Sequence, residues 1–193
     1  MDAWQRLGSE EDAPLVVPAS NGHRGSGAED GAIAATREEL RRRVAPFRRS
    51  LHIRHVDAGS DGSEEAEILA LGNPFYDINR LGLFFTPSPR HADLLLVTGP
   101  VTRAMADPLR RTYEAMPVPK LVVAAGTSAC SGGIFGVSYA TLGGVDRVLP
   151  VDVYIPGAPP SPLALLQGLL LAVGRLEQKV RATRLVAGGG AGR

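Results

Sequence analysis

Three stretches of this chain are apolar at nearly every position, and each stops at a glycine turn. Asp93-Leu94-Leu95-Leu96-Val97-Thr98 ends at Gly99-Pro100, residues 120–125 end at Gly126, and residues 151–155 end at Pro156-Gly157. A strand with one wet face would alternate apolar and polar residues. Unbroken runs instead demand a sheet covered on both faces, as parallel strands under helices are. Residues 50–56 read as the first strand, preceded by a basic helical segment over 36–49.

The segments between the runs carry helical signals. Thr102 suits an N-cap for a helix holding Met105, and Asp107-Pro108 reads as a fresh N-cap with proline at the first helical position. The helix is therefore expected to restart or kink there, with Leu109, Tyr113 and Met116 on one side. Residues 64–71 read as another helix. In the last helix Leu163, Leu166, Leu170, Val173, Leu176 and Val180 recur at helical spacing. Strand and helix alternate with short Gly/Pro turns, which predicts an α/β, doubly wound, flavodoxin-like parallel sheet in a single domain. In such a sheet the loops beyond the strand C-termini converge on one crevice, here the loops after Val56, Thr98, Ala125 and Ile155.

The domain is expected over 36–185. Residues 1–35, rich in Gly, Ser, Asp, Glu and Ala, read as a disordered tail, and the glycine-rich 186–193 as a second flexible one. A net charge of +1 provides no basic groove for nucleic acid. The single cysteine rules out an intramolecular disulfide. Met1-Asp2-Ala3-Trp4 opens no basic, then apolar, leader, so no signal peptide is expected. The longest apolar run, 163–173, is interrupted by Gln167 and Gly168 and falls short of the ~20 residues of a membrane span. The expected location is the cytoplasm, or the cytoplasmic face of a membrane as a peripheral part of a complex.

Several motifs appear together in one order. They include Ser50-Leu51-His52-Ile53-Arg54-His55-Val56-Asp57-Ala58-Gly59-Ser60, Asn73-Pro74-Phe75-Tyr76-Asp77 and Ser88-Pro89-Arg90-His91-Ala92-Asp93. Gly99-Pro100-Val101-Thr102, Gly143-Gly144-Val145-Asp146 and Pro150-Val151-Asp152-Val153-Tyr154-Ile155-Pro156-Gly157 follow. Over residues 36–182 the chain resembles the small subunit of membrane-bound, energy-converting nickel–iron hydrogenases. It is similar in the same way to the corresponding small subunit of NADH:quinone oxidoreductase (complex I), the other branch of that family.

That resemblance implies a flavodoxin-like fold carrying one [4Fe–4S] cluster on four cysteines. Two would follow the Asp-Ala-Gly-Ser motif in a C-x-x-C spacing, and those positions hold Asp61 and Glu64. The third belongs to a G-x-C-A-x-x-G-G pattern, where Gly126-Thr127-Ser128-Ala129-Cys130-Ser131-Gly132-Gly133 places Ser128. The fourth belongs to a P-G-C-P-P turn, which reads Pro156-Gly157-Ala158-Pro159-Pro160 and places Ala158. Clusters are held by thiolates, soft donors matched to iron and sulfide. A carboxylate or an alkoxide is a hard donor and a methyl is none, so no cofactor is expected here.

Asp61 and Glu64, with Glu65 and Glu67 beside them, either face that pocket, where Ser128, loop amides or a hard cation would meet them, or point to water as the first turn of a helix. The second arrangement is the expectation. Cys130 reads as a structural thiol, because a nucleophilic role needs a base and His52, His55 and His91 qualify only by count. The Gly126–Gly133 loop lacks the lysine of a P-loop. Arg80, Arg90 and His91 lie in a stretch that the resemblance assigns to the large-subunit interface near a quinone or active-site cavity, although ordinary surface charge explains them equally. Arg41-Arg42-Arg43 reads as a solvated helix face.

Three functions follow. The first is a non-redox structural or assembly subunit docked on a hydrogenase-like or complex I-like large subunit. The second is an electron-transfer subunit of such an oxidoreductase with a rebuilt or partner-supplied cluster, and the third is a stand-alone flavin or small-molecule binder. The chain by itself is not expected to be catalytic, and no catalytic or metal-binding residue is assigned.

Overall fold

The computed structural model describes residues 50–174 together with Glu38 and Arg42. The expected tails, Arg41 and Arg43, most of the 36–49 segment and the positions of Leu176 and Val180 lie outside the described residues. Seven strands are present among them: β1 (Leu51–Asp57), β2 (Leu83–Phe85), β3 (Leu94–Thr98), β4 (Val101–Thr102), β5 (Leu121–Ala125), β6 (Thr141–Gly143) and β7 (Val153–Ile155). The helices are α1 (Ser63–Ala70), α2 (Arg103–Glu114), α3 (Thr127–Ser131) and α4 (Pro162–Ala172).

Five strands form one parallel sheet in the order β2-β1-β3-β5-β7, with Asp57 beside Thr98 and Thr98 beside Ala125 in register. This is the flavodoxin-like order, and its topological switch point falls between β1 and β3. The apolar runs are unbroken because both faces are roofed. Leu94 and Leu96 of β3 join Ile53, Leu121 and Val123 beneath α1 and α4. Leu95 and Val97 point the other way, among Val122, Ala124, Leu109 of α2 and Ala129 of α3. Each leucine so buried contributes roughly 1.5–3 kcal/mol.

Two features were not expected from the sequence. β2 has only three residues and pairs along Leu51–Ile53, while β4 and β6 form a short antiparallel pair beside the main sheet. Segments this brief carry too few positions for a periodicity to register.

Two helical expectations are corrected. Thr102 does cap α2, its hydroxyl accepting from the Met105 amide at 3.3 Å, but one helix runs through Pro108 without restarting. The proline deprives only the Ala104 carbonyl of an intrahelical partner. That loss, about 3 kcal/mol in a helix interior, is offset by burial of Leu109 and Met116 and by the Asp107–Arg111 ion pair at 2.8 Å. In α4 the fully buried residues are Leu165, Leu169 and Ala172, with Leu166 and Leu170 at the margin and Leu163 half exposed. The helix has leucine in almost every direction, so its pattern fixes no face. Packing does so, through the close approach of Gly168 to Ile155 of β7.

Candidate functional site

The loops leaving β1, β3, β5 and β7 meet at one end of the sheet, as the parallel order requires. Gly99, just after β3, has φ 72° and lies against Ser60, where a Cβ would fall 2.5 Å from the Ser60 Cα. The β5 and β7 loops are joined by Gly126 N–H donating to the Ile155 carbonyl at 2.9 Å and Thr127 N–H to the Gly157 carbonyl at 2.6 Å. The Thr127 hydroxyl donates to the same carbonyl at 3.0 Å.

Asp61 and Glu64, three residues apart, behave oppositely. Asp61 is exposed, and its Oδ1 accepts from the Ser63 amide at 3.0 Å and the Ser63 hydroxyl at 2.5 Å. Those bonds hold its carboxyl below the usual carboxylate range. Glu64 does not point to water. It is 3% exposed and its side chain lies flat on Gly126, whose φ is 93° and whose Cβ, if present, would fall 2.8 Å from the Glu64 Cγ. Burial pushes its pKa up, against the weaker effect of its own amide and of the Ser63 hydroxyl, which donates at 3.2 Å. The expectation that both residues face solvent is therefore corrected for Glu64. A helix first turn has an inward side as well as an outward one, and position 64 falls on the inward side with Ile68, four residues on.

Ser128 is half-buried on α3 and Ala158 is exposed in the turn beyond Gly157. The structure thus brings Glu64, Ser128 and Ala158 to one junction of loops, with Asp61 at its rim. Cys130 turns away. Its Sγ is 3.6 Å from the Ala124 carbonyl, packed beneath α3, and burial pushes the thiol up to about 11. It is a protonated structural thiol, and none of His52, His55 and His91 is bonded to it. His52 engages Asp93, whereas His91 is exposed.

Sequence reasoning missed a second polar group at the β1/β3 switch point. Thr98 is fully buried, and its hydroxyl donates to Glu65 Oε1 while the Ser60 hydroxyl donates to Glu65 Oε2. His55 Nε2 lies 2.9 Å from the Thr98 hydroxyl oxygen and 3.5 Å from Glu65 Oε1. Because Thr98 gives its proton to Glu65, Nε2 is the donor to Thr98. Burial lowers the His55 pKa, with Glu65 and Asp57 opposing, and so favours the neutral ring. Period two along β1 puts His55 on the face of Leu51 and Ile53, but in a sheet roofed on both sides that period alone does not mark it as buried.

The comparisons with known proteins can be set against this geometry. The profile of the family described as NADH ubiquinone oxidoreductase, 20 Kd subunit, matches residues 62–172, more than half of the chain. The chain belongs to this family. It is 45% identical over 153 residues to formate hydrogenlyase subunit 7 of Escherichia coli (strain K12), a match covering 79% of this chain and 59% of that protein. The chain thus spans less than two thirds of that relative's length. A chain of the membrane-bound sulfane sulfur reductase, an archaeal respiratory membrane complex, superposes with a TM-score of 0.60 at 36% identity, covering 68% of this chain and 72% of that one. A chain of an NAD+-reducing [NiFe]-hydrogenase in the H2-reduced state superposes with a TM-score of 0.52 at 17% identity, covering 66% of this chain and 94% of that one, and shares the fold.

The family is known for an iron–sulfur cluster, and the donors here do not fit one. The four positions that the resemblance implies for its ligands offer an exposed carboxylate, a buried carboxyl, a hydroxyl and a methyl, in place of the thiolates that iron and sulfide favour. Among the described residues no group of three or more His, Cys, Asp or Glu is placed to hold a metal ion.

Arg80, Arg90 and His91 are all exposed, but they are not at this junction. Arg80 sits in the 3-10 turn (Ile78–Leu81) that leads into β2, and Arg90 and His91 in the one (Pro89–His91) that leads into β3. They lie where strands begin, at the opposite end of the sheet from the loop junction. No helix among the described residues is long and apolar enough to cross a membrane.

Proposed function

We propose that this chain is a redox-silent member of its family, a structural or assembly subunit that docks on the large subunit of a hydrogenase-like or complex I-like complex. The observation that carries the reading is the donor set at Asp61, Glu64, Ser128 and Ala158. Soft thiolates are absent from every position the family uses, and the remaining thiol is protonated and faces the Ala124 carbonyl. A cluster in such a subunit is one link in an electron chain, and its loss breaks the link while leaving the sheet intact. Membership of a larger complex is carried over from relatives named as a subunit and as a chain of a membrane complex, and a peripheral place on the cytoplasmic face is part of the proposal. Arg80, Arg90 and His91 are proposed as part of the partner interface at the strand N-termini, away from the loop junction.

A second reading keeps the chain as an electron-transfer subunit whose cluster is rebuilt or completed by a partner, and the 45% identity to a formate hydrogenlyase subunit favours it. Anaerobic purification separates the two. A colourless protein without acid-labile sulfide that co-purifies with a large subunit is the expected result. Stoichiometric iron with a broad band near ~400 nm, the thiolate-to-iron charge-transfer region, would overturn the redox-silent reading.

A further inference from the structure

We propose that the Glu64 side chain is a plug: it fills the space between α1 and the Gly126 turn that a cluster ligand at this position would leave open, and so blocks the return of a cluster as well as replacing its contacts. The inference rests on the redox-silent reading. A cysteine at position 64 would end at Sγ, one bond beyond Cβ. Glu64 carries Cδ and two oxygens past that point, and they are spent on contact with Gly126 rather than on solvent, leaving the residue 3% exposed. The contact is intimate on both sides. A Cβ on Gly126 would fall 2.8 Å from Glu64 Cγ and 3.0 Å from its Cδ, so the carboxyl occupies the room that a side chain at 126 would need. The same turn leads directly into Ser128 and is tied to Gly157, next to Ala158. Glu64 therefore sits among the loops that would have to surround a cubane.

The charge of such a plug must be dealt with, since the groups acting on it, Asp61 and Glu65, are both acidic. Burial favours the neutral acid, which can occupy the junction without repelling them. Ile68, one turn further along the same helix, is buried in the core and holds this face of α1 inward.

The test uses the full chain, with iron and sulfide in the unmodified protein measured first, because a native cluster there would remove the redox-silent reading and this inference together. The triple variant Asp61→Cys, Ser128→Cys, Ala158→Cys is then reconstituted anaerobically with iron and sulfide, with Glu64 kept, changed to Ala, or changed to Cys. With Glu64 kept the protein is expected to remain colourless, and either replacement is expected to give cluster absorbance. Equal iron uptake with and without Glu64 overturns the plug and leaves the redox-silent reading standing. Failure of all three to take up iron means that position 64 does not border a cluster-sized space, and overturns it equally. In the otherwise unmodified chain at about pH 4.5, Glu64→Ala should lower the melting temperature by roughly 2–4 °C and Glu64→Gln, which matches the neutral acid, should leave it unchanged. No shift with Glu64→Ala also overturns the proposal.

Discussion

β3 buries all five of its side chains, four of them apolar, and their neighbours on β1 and β5 are mostly apolar too. The end of the sheet where it meets α1 and the loops is different in kind: Glu64, Glu65, Thr98, Ser60 and His55 crowd there, bonded to one another or packed on Gly126. The strand bodies hold their place through area removed from water, which is indifferent to the chemistry at their tips. The loop ends hold theirs through particular hydrogen bonds and close approaches. On the redox-silent reading this is how thiolates give way to carboxylates at the loop ends while the sheet is kept, and the two regions should respond differently to substitution.

The largest effect belongs to the strands. Leu96 is fully buried in the central strand, and Leu96→Ala should cost about 2–5 kcal/mol through lost transfer energy and the cavity left behind. Urea unfolding measures this as a lower midpoint. A loss under about 1 kcal/mol would mean that α1 and α4 are not closed over this face of β3.

Next comes the Gly126 turn. Gly126→Ala forces a left-handed φ of 93° on a residue with a Cβ and drives that atom into Glu64. The strain alone is about 1–3 kcal/mol. Combined with Glu64→Ala, part of the loss should be recovered, and the double-mutant cycle reads the coupling directly. Strict additivity would show that Glu64 does not rest on this turn.

Glu65 tests the switch-point network. Glu65→Ala leaves the fully buried Thr98 hydroxyl without its acceptor, a penalty of roughly 1–3 kcal/mol. Thr98→Val in the same background removes the stranded hydroxyl and should restore part of the stability. If it restores none, the network is solvated and its burial is not what matters.

How far the sequence reveals this arrangement follows the same division. The long apolar runs, the Thr102 cap and the convergence of four loops are all legible, because burial on two faces and N-capping leave direct marks on residue type. β2 and the β4/β6 pair are not, since two or three residues hold no period. The buried face of α4 is not either, because leucine occurs all around it and only Ile155 against Gly168 selects a side. At the site, the four positions are those the family resemblance implies, and residue type alone shows that none of them carries sulfur. The inward turn of Glu64 and the pairing of Glu65 with Thr98, 33 residues away, depend on tertiary contacts that no local pattern encodes.

The smallest predicted effect is a slope rather than a loss. His55 has its pKa lowered from 6.5 by burial, so the unfolded chain binds a proton in a range where the folded one resists it. Stability should then rise with pH up to about 6.5 and fall as acid carries the solution down toward the folded value. Glu64 acts in the opposite sense, because its raised pKa makes the folded state the better proton binder and erodes stability as pH climbs above 4.5. The two groups therefore contribute slopes of opposite sign. A Glu64→Gln background removes the opposing Glu64 slope, so the rise of melting temperature with pH up to about 6.5 that His55 imposes should persist there. Adding His55→Gln, which keeps a donor toward Thr98 but cannot titrate, should flatten it. A slope that survives both substitutions would place the titrating group elsewhere, and the switch-point histidine would then be a bystander to the loop end it lines.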